Sequence, residues 1–521
     1  MDKSPAILKQ TKNKKYSRWI LVRKVVQFFF LAVVIVLFLI SRQDTPGNDL
    51  IDYFFRFDPL LAISSMVASR TFLLTSAIES GLAIILAIVA GRAWCGWICP
   101  LGTILDSTTI KKTNATKLPE SLRSIKYGLL LMILTAALFG NLTLMFFDPL
   151  TIFYRSLTNV FLPILNQAVT VVENFLYPIP FFQDPLTWLE SVLRPNLLPN
   201  SLQYFSQAIL FGFVFFSILA LNILAPRFWC RYICPLGGFL GLFSKFSIFR
   251  REVGESCRDC TLCSKRCPTG TINPNQGYVS DPSECTLCLE CLKNCPDSTI
   301  KAHSPLKPGI RQSYDPSRRQ LLISGAASIA GIALLKSGLE ATHPQPFLLR
   351  PPGSTEDQIL STCLRCGECV RACPTNLIQP SGLNYGLEGL WTPTLVPEIG
   401  YCEFTCNTCG QVCPVAAIPA LSIEDKQKTI IGKTFIDQNR CIAWADHKPC
   451  MVCEEMCPLP QKAVTLIEIE VTDPDGTKKT IKAPEVNRQL CIGCGICEYK
   501  CPVVGEAAIR VRLANPDLYA S

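Results

Sequence analysis

Residues 257–268 read CRDCTLCSKRCP, and residues 285–296 read CTLCLECLKNCP. Each is C-x2-C-x2-C-x3-C-P. Three closely spaced thiolates can wrap three irons of a cubane, while the fourth cysteine, turned away by the proline after it, ligates the other cluster. The two runs together predict two [4Fe-4S] sites. One takes Cys257, Cys260, Cys263 and Cys295; the other takes Cys285, Cys288, Cys291 and Cys267. Zinc is the plainer alternative, but zinc motifs rarely show a double four-cysteine run with paired prolines.

The pattern recurs four times further on. The sets are Cys363, Cys366, Cys369 and Cys373; Cys402, Cys406, Cys409 and Cys413; Cys441, Cys450, Cys453 and Cys457; and Cys491, Cys494, Cys497 and Cys501. Each last cysteine precedes a proline. The second set opens C-x3-C and the third C-x8-C, so Cys441 is the ligand that the spacing specifies least. Between the third and fourth sets, residues 463–486 alternate β-branched residues on either side of Asp-Pro-Asp-Gly, which predicts a β-hairpin.

The remaining four of the 28 cysteines are Cys95, Cys99, Cys230 and Cys234. They lie in WCGWICPLG at 94–102 and FWCRYICPLGG at 228–238, and each copy is preceded by FDPL, at 57–60 and 147–150. Order and spelling both repeat, so the region reads as a duplicated unit: an outer loop, an inward helix, then a cysteine pair. In a helix, residues four apart share a face. The duplication would then bring two pairs together as a four-thiolate site for a cluster or another metal. Packing by buried free cysteine is the alternative.

Of the 521 residues, 49% are hydrophobic and 17% charged, a balance that suits a partly membrane-embedded chain of several domains. Apolar segments near 20–40, 72–91, 127–147 and 204–224 approach the ~20 residues needed to span a bilayer. The +9 net charge sits mostly beside these segments, as the positive-inside rule requires, so nucleic acid is not expected as a partner. That charge pattern places the N-terminus inside, with an uncleaved first helix. His303, His343 and His447 are the only histidines, and none lies in an apolar segment. Haem is therefore not expected, and no nucleotide-binding glycine motif points to NAD. Glu79 falls inside the second span and is a functional candidate as an intramembrane carboxyl, with Asp58 and Asp148 as outlets for protons. Finally, SRRQLLISGAASIAGIALL at 317–335 reads as a twin-arginine export signal in mid-chain, or as a fifth helix.

The expected fold is an α-helical membrane bundle of four to five transmembrane helices plus two α+β domains resembling bacterial ferredoxins. The expected divisions are 1–250 (membrane domain), 251–303 (two-cluster ferredoxin), 304–343 (linker and signal or anchor helix) and 344–521 (four-cluster ferredoxin).

On these motifs, residues 1–300 resemble the NapH-type membrane subunit of periplasmic nitrate reductase systems, whose membrane core also occurs in NosR and CcoG-type proteins. Residues 315–511 resemble NapG and MauM ferredoxins, so the chain looks like a fusion. SGAAS at 324–328 lacks the threonine of a flavin attachment sequence, and the short segment after the first helix leaves no room for the outer flavin domain of NosR, so no flavin is expected. The resemblance implies a quinol dehydrogenase-type component of the inner membrane. Electrons would pass from membrane quinol through about six clusters, with a possible seventh, to a periplasmic reductase or cytochrome. Residues 251–317 would be cytoplasmic and 345–521 extracytoplasmic. A CcoG-type maturation factor handling copper or iron is the alternative. The resemblance also implies nested pairing: Cys501 completing the set of Cys363, Cys366 and Cys369, Cys373 that of Cys491, Cys494 and Cys497, Cys457 that of Cys402, Cys406 and Cys409, and Cys413 that of Cys441, Cys450 and Cys453.

Overall fold

A computed structural model describes residues 14–40, 54–109, 119–196, 198–199, 203–303, 318–336, 348–472 and 478–513. The 304–317 linker, the basic residues at 111, 112 and 117, His343 and the Asp-Pro-Asp-Gly turn lie outside the described residues.

The first part of the chain is helical. Among the described residues, two helical segments are long and apolar enough to cross a membrane, Ser17–Ile40 and Ser121–Leu138. The expected second and fourth spans form shorter helices, Leu74–Ala90 with 17 residues and Ala208–Leu221 with 14. The expected third span ends early. Its helix, Ser124–Leu138, stops before Gly140, which has φ of +70°, and the chain turns through Thr143–Phe147 into the second FDPL. A left-handed residue suits glycine and interrupts a helix. Between the second FDPL and the expected fourth span the chain carries helices Pro149–Ser156, Leu162–Leu176 and Pro180–Asn196.

Both FDPL copies are helix starts. Asp58 caps the Pro59–Ser69 helix by accepting from the amides of Leu60 and Leu61, and Asp148 caps Pro149–Ser156 by accepting from Leu150 and Thr151. Proline follows at the first helical position, where its missing N–H costs nothing. Both aspartates are 0% exposed, and each spends one oxygen on its cap.

The cysteine-rich segments fold around short antiparallel strand pairs. Arg250–Val253 pairs with Ile300–His303 and closes the first block. Lys433–Ile436 pairs with Ile509–Arg512, and Ile378–Pro380 with Pro393–Leu395. The expected hairpin is formed by Val464–Thr472 and Lys478–Val486, with Val464 opposite Val486. The twin-arginine stretch is a helix, Arg318–Lys336, packed against Ser124–Leu138.

Candidate metal centres

None of the 28 cysteines is in a disulfide. In four sets the two residues flanking the second cysteine are left-handed: Asp259 and Thr261, Leu287 and Leu289, Arg365 and Gly367, Gly493 and Gly495. Successive turns of this kind curl the backbone amides into a concavity that suits an anionic group. Glycine relieves the strain at 367, 493 and 495, but the other five positions bear it.

In the first block, Cys257, Cys260, Cys263 and Cys295 line one cavity, and Cys267, Cys285, Cys288 and Cys291 line another. These are the expected groupings. Burial pushes the Cys285 thiol up to about 11 and Cys288 to about 12. A buried thiol is poorly suited to ionise alone, so thiolates gathered here call for metal cations.

In the second block the nested pairing is not what the chain brings together. Cys441, Cys450, Cys453 and Cys501 line one cavity, so Cys501 completes the third set and not the first. Cys413 packs with Cys363 and Cys369, and Cys402 and Cys409 pack with Cys373. Cys457 is an electrostatic neighbour of Cys494. Exchange therefore runs between consecutive motifs, first with second and third with fourth. The reason is packing: each consecutive pair shares a small apolar core, such as that of Cys453, Val464, Cys497 and Ile509.

The four remaining cysteines meet. Cys95, Cys99, Cys230 and Cys234 are buried in one apolar core. Each pair sits on a widened turn, closed by the Cys99 amide bonding to the Trp94 carbonyl at 3.0 Å and the Cys234 amide to that of Trp229 at 2.9 Å. Both bonds span five residues, so the thiols are not at ordinary α-helical spacing. Cys99 and Cys234 then sit at the N-caps of helices Pro100–Thr108 and Pro235–Ser244. The Gly237 amide donates to Cys234 Sγ at 3.3 Å, and a Cβ on Gly102 would stand 2.7 Å from the Cys95 carbonyl oxygen. The repeated Cys-Pro-Leu-Gly is thus a helix start that aims amides at sulfur and leaves no room for a side chain.

This core touches both cysteine-rich blocks. On one side, Trp97 Nε1 donates to the Leu287 carbonyl at 3.2 Å, and a Cβ on Gly96 would collide with the backbone of Thr286. On the other, Leu364 and Cys366 belong to the same buried core as the four cysteines. Arg365 Nη2 reaches Thr143 Oγ1 at 3.1 Å, Arg371 Nη1 reaches the Tyr154 hydroxyl at 3.2 Å, and Asn141 Nδ2 reaches Glu388 Oε1 at 2.8 Å. Glu79 lies on Leu74–Ala90 with Oε2 buried and unpartnered.

Sequence reasoning passed over Arg92 and Arg227, although each stands three residues before the first cysteine of its copy. Both are fully buried against the cysteine turns. Among the described residues no three His, Cys, Asp or Glu side chains converge on a single ion. A mononuclear zinc site needs four ligands at ~2.0–2.3 Å from one point. Sulfurs lining a shared void fit a cubane better.

Sets of buried thiols around amide-lined hollows define an iron–sulfur protein of the ferredoxin type. A family described as "4Fe-4S binding domain" matches residues 73–110 and 205–254, the two cysteine turns with their leading helices, and another of that description matches 359–379. The ferredoxin-type protein MauM of methylamine utilization from Methylorubrum extorquens is 36% identical over 206 residues, 38% of this chain and 89% of MauM. The ferredoxin-type protein NapG of Haemophilus influenzae is 30% identical over 39% of this chain and 73% of its own length. NapG of Escherichia coli is 34% identical over 36% and 80%. No solved structure matches. The chain belongs to the NapG/MauM family of ferredoxin-type proteins, and it binds [4Fe-4S] clusters and transfers electrons. The matches to these relatives leave more than half of the chain uncovered.

Proposed function

We propose that the chain is a membrane-embedded quinol dehydrogenase component that passes electrons to an extracytoplasmic reductase or cytochrome. The observation that carries this reading is the position of the four-cysteine core. It lies in contact with Thr286 and Leu287 of the first block and in one core with Cys366 of the second. Beyond Cys366 the sets continue in file: the Cys402 amide donates to the Cys494 carbonyl at 2.7 Å, and Cys453 and Cys497 share a core.

Six [4Fe-4S] groups would be held by the ferredoxin-type sets and a seventh by Cys95, Cys99, Cys230 and Cys234. Bound there, they supply one-electron redox chemistry. The protein's part is to bury the thiols, aim backbone amides at them and fix their order. Membrane embedding is supported by outward apolar side chains on both short helices: Ile78, Leu82, Ile85 and Val89 on one, and Ile209, Phe213 and Phe216 on the other. Such bands are costly against water and suit lipid. The twin-arginine helix would carry 345–521 to the outer side, with 251–317 inside. Glu79 is the proposed proton acceptor from quinol, a role its unpartnered buried oxygen suits.

The test is EPR of the purified protein in detergent before and after adding a menaquinol analogue. Clusters reduced by quinol support the reading. Clusters that stay oxidised with quinol, yet reduce with dithionite, overturn it.

A further inference from the structure

Two arginines cross between the repeated halves. Arg92, just before Cys95, donates to the carbonyl oxygen of Cys230 at 3.1 Å. Arg227, just before Cys230, donates to the carbonyl oxygen of Cys95 at 3.1 Å. Each half thus holds the cysteine turn of the other. Their guanidinium groups have almost no exposure.

Each arginine also grips a carboxylate. Arg92 Nη1 reaches Glu284 Oε2 at 2.8 Å, and Arg227 Nε reaches Asp106 Oδ1 at 2.5 Å. Each carboxylate serves a second cation: Lys126 on Glu284, and Arg23 on Asp106 at 3.1 Å. Two cations to one carboxylate, on both sides, leave surplus positive charge around the four-cysteine core. Glu290 approaches Arg23 only at 3.9 Å from a half-exposed position, so it offsets little. Asp58 and Asp148 cap helices, and the charge left at Asp148 faces Arg155 as well as Cys99, so that buried arginine offsets it. Buried surplus charge is expensive unless an opposite charge joins it. Cys95 and Cys234 are electrostatic neighbours of Arg92, and Cys230 of Arg227. Four thiolates on a cubane supply the missing anion.

Glu284 belongs to the first block, one residue before Cys285. It therefore ties the latch to a particular cysteine set. Arg92 Nη1 also reaches the Ser283 carbonyl at 3.4 Å, and Gly96 lies against Thr286.

We propose that Arg92 and Arg227 form a crossed latch that seats an anionic iron–sulfur group on Cys95, Cys99, Cys230 and Cys234, and that Glu284 fixes this set beside the Cys285 set as its direct electron-exchange partner. Exchange moves one electron, oxidising one set as it reduces the other, and no bond or proton need move. The inference rests on the cluster reading above but not on quinol as the donor. Arg92, Arg227 and Glu284 are positioning residues.

The test is a mediated EPR redox titration of the full chain in detergent, with iron analysis. The signal of the four-cysteine set is the one lost, with about four irons, in Cys95→Ser/Cys230→Ser. Arg92→Gln leaves Lys126 and Glu284 as a balanced pair. It should make that set about tenfold harder to reduce, ~59 mV for one electron. Glu284→Gln should shift it by about as much in the opposite direction, and Arg92→Lys should restore the parent value. Arg227→Gln, which leaves Arg23 and Asp106 paired, is the independent check and should act as Arg92→Gln does. Shifts of one sign in Arg92→Gln and Glu284→Gln, no shift in either, or full iron in the double cysteine variant would overturn the proposal. A failure of quinol reduction with these shifts intact would count against quinol alone.

Discussion

Asp58 and Asp148 are buried electrostatic neighbours inside the helical region, each at the N-cap of its own helix. Asp58 Oδ1 and Asp148 Oδ2 accept the capping amides, and Asp58 Oδ2 and Asp148 Oδ1 are buried without a hydrogen-bond partner. Repulsion between two buried carboxyl groups is relieved when one carries a proton, and that proton can bridge them. The repeat thus joins its halves at two places: the paired aspartates and the crossed arginines.

That contact makes a specific demand on substitutions. Asn caps as well as Asp, and its amide can donate in place of the shared proton, so Asp58→Asn should be nearly neutral. Asp58→Ala loses the cap, about 1 kcal/mol, and orphans a buried acceptor, about 1–3 kcal/mol more. Thermal unfolding in detergent reads the difference. Equal damage from both variants would argue against a shared proton.

Consecutive-motif exchange can be tested by counting iron. The full chain should carry about 28 irons, or about 24 if the membrane cysteines hold none. Cys366→Ser and Cys413→Ser should each remove about four, and the double variant no more, because both belong to one site. Cys366→Ser with Cys501→Ser should remove about eight. The reverse pattern would restore the nested arrangement.

The backbone contact at Gly96 leaves no space for a methyl group. Gly96→Ala should cost about 1–3 kcal/mol of overpacking. Because the obstacle is the Thr286 backbone, the first block should loosen from the helical region. Hydrogen exchange at residues 283–288 should rise, while exchange in the Val464–Thr472 hairpin strand stays as it was.

Glu79→Gln should keep iron content and reduction by dithionite, yet slow reduction by a menaquinol analogue by about a hundredfold or more. Stopped-flow absorbance measures both rates. Unchanged quinol kinetics would remove Glu79 from the mechanism.

Topology gives the last prediction. A reporter active only outside the cytoplasm, fused after Ser521, should be active, and replacing Arg318 and Arg319 with Lys should abolish that activity. Because Arg318–Lys336 packs against Ser124–Leu138, survival of activity in the double variant would make it an ordinary helix of the bundle.

The sequence by itself determined what local spacing can determine. Cys257, Cys260 and Cys263 lie on one short loop, so three ligands of a site follow from seven residues of chain. The hairpin at Val464–Thr472 followed from alternation, and FDPL as the mark of a duplicated unit followed from its spelling. The fourth ligand was a different matter. Cys413 and Cys501 are each followed by proline and are equivalent in sequence, and only packing around Val415, Ile418 and Ala508 assigns each to its neighbour. The tertiary structure also decided that Arg92 serves Cys230 and Arg227 serves Cys95, and that Asp58 meets Asp148. A repeat announces that two units are alike. How they face each other depends on buried charges finding partners across the interface, and those partners lie far apart in the chain.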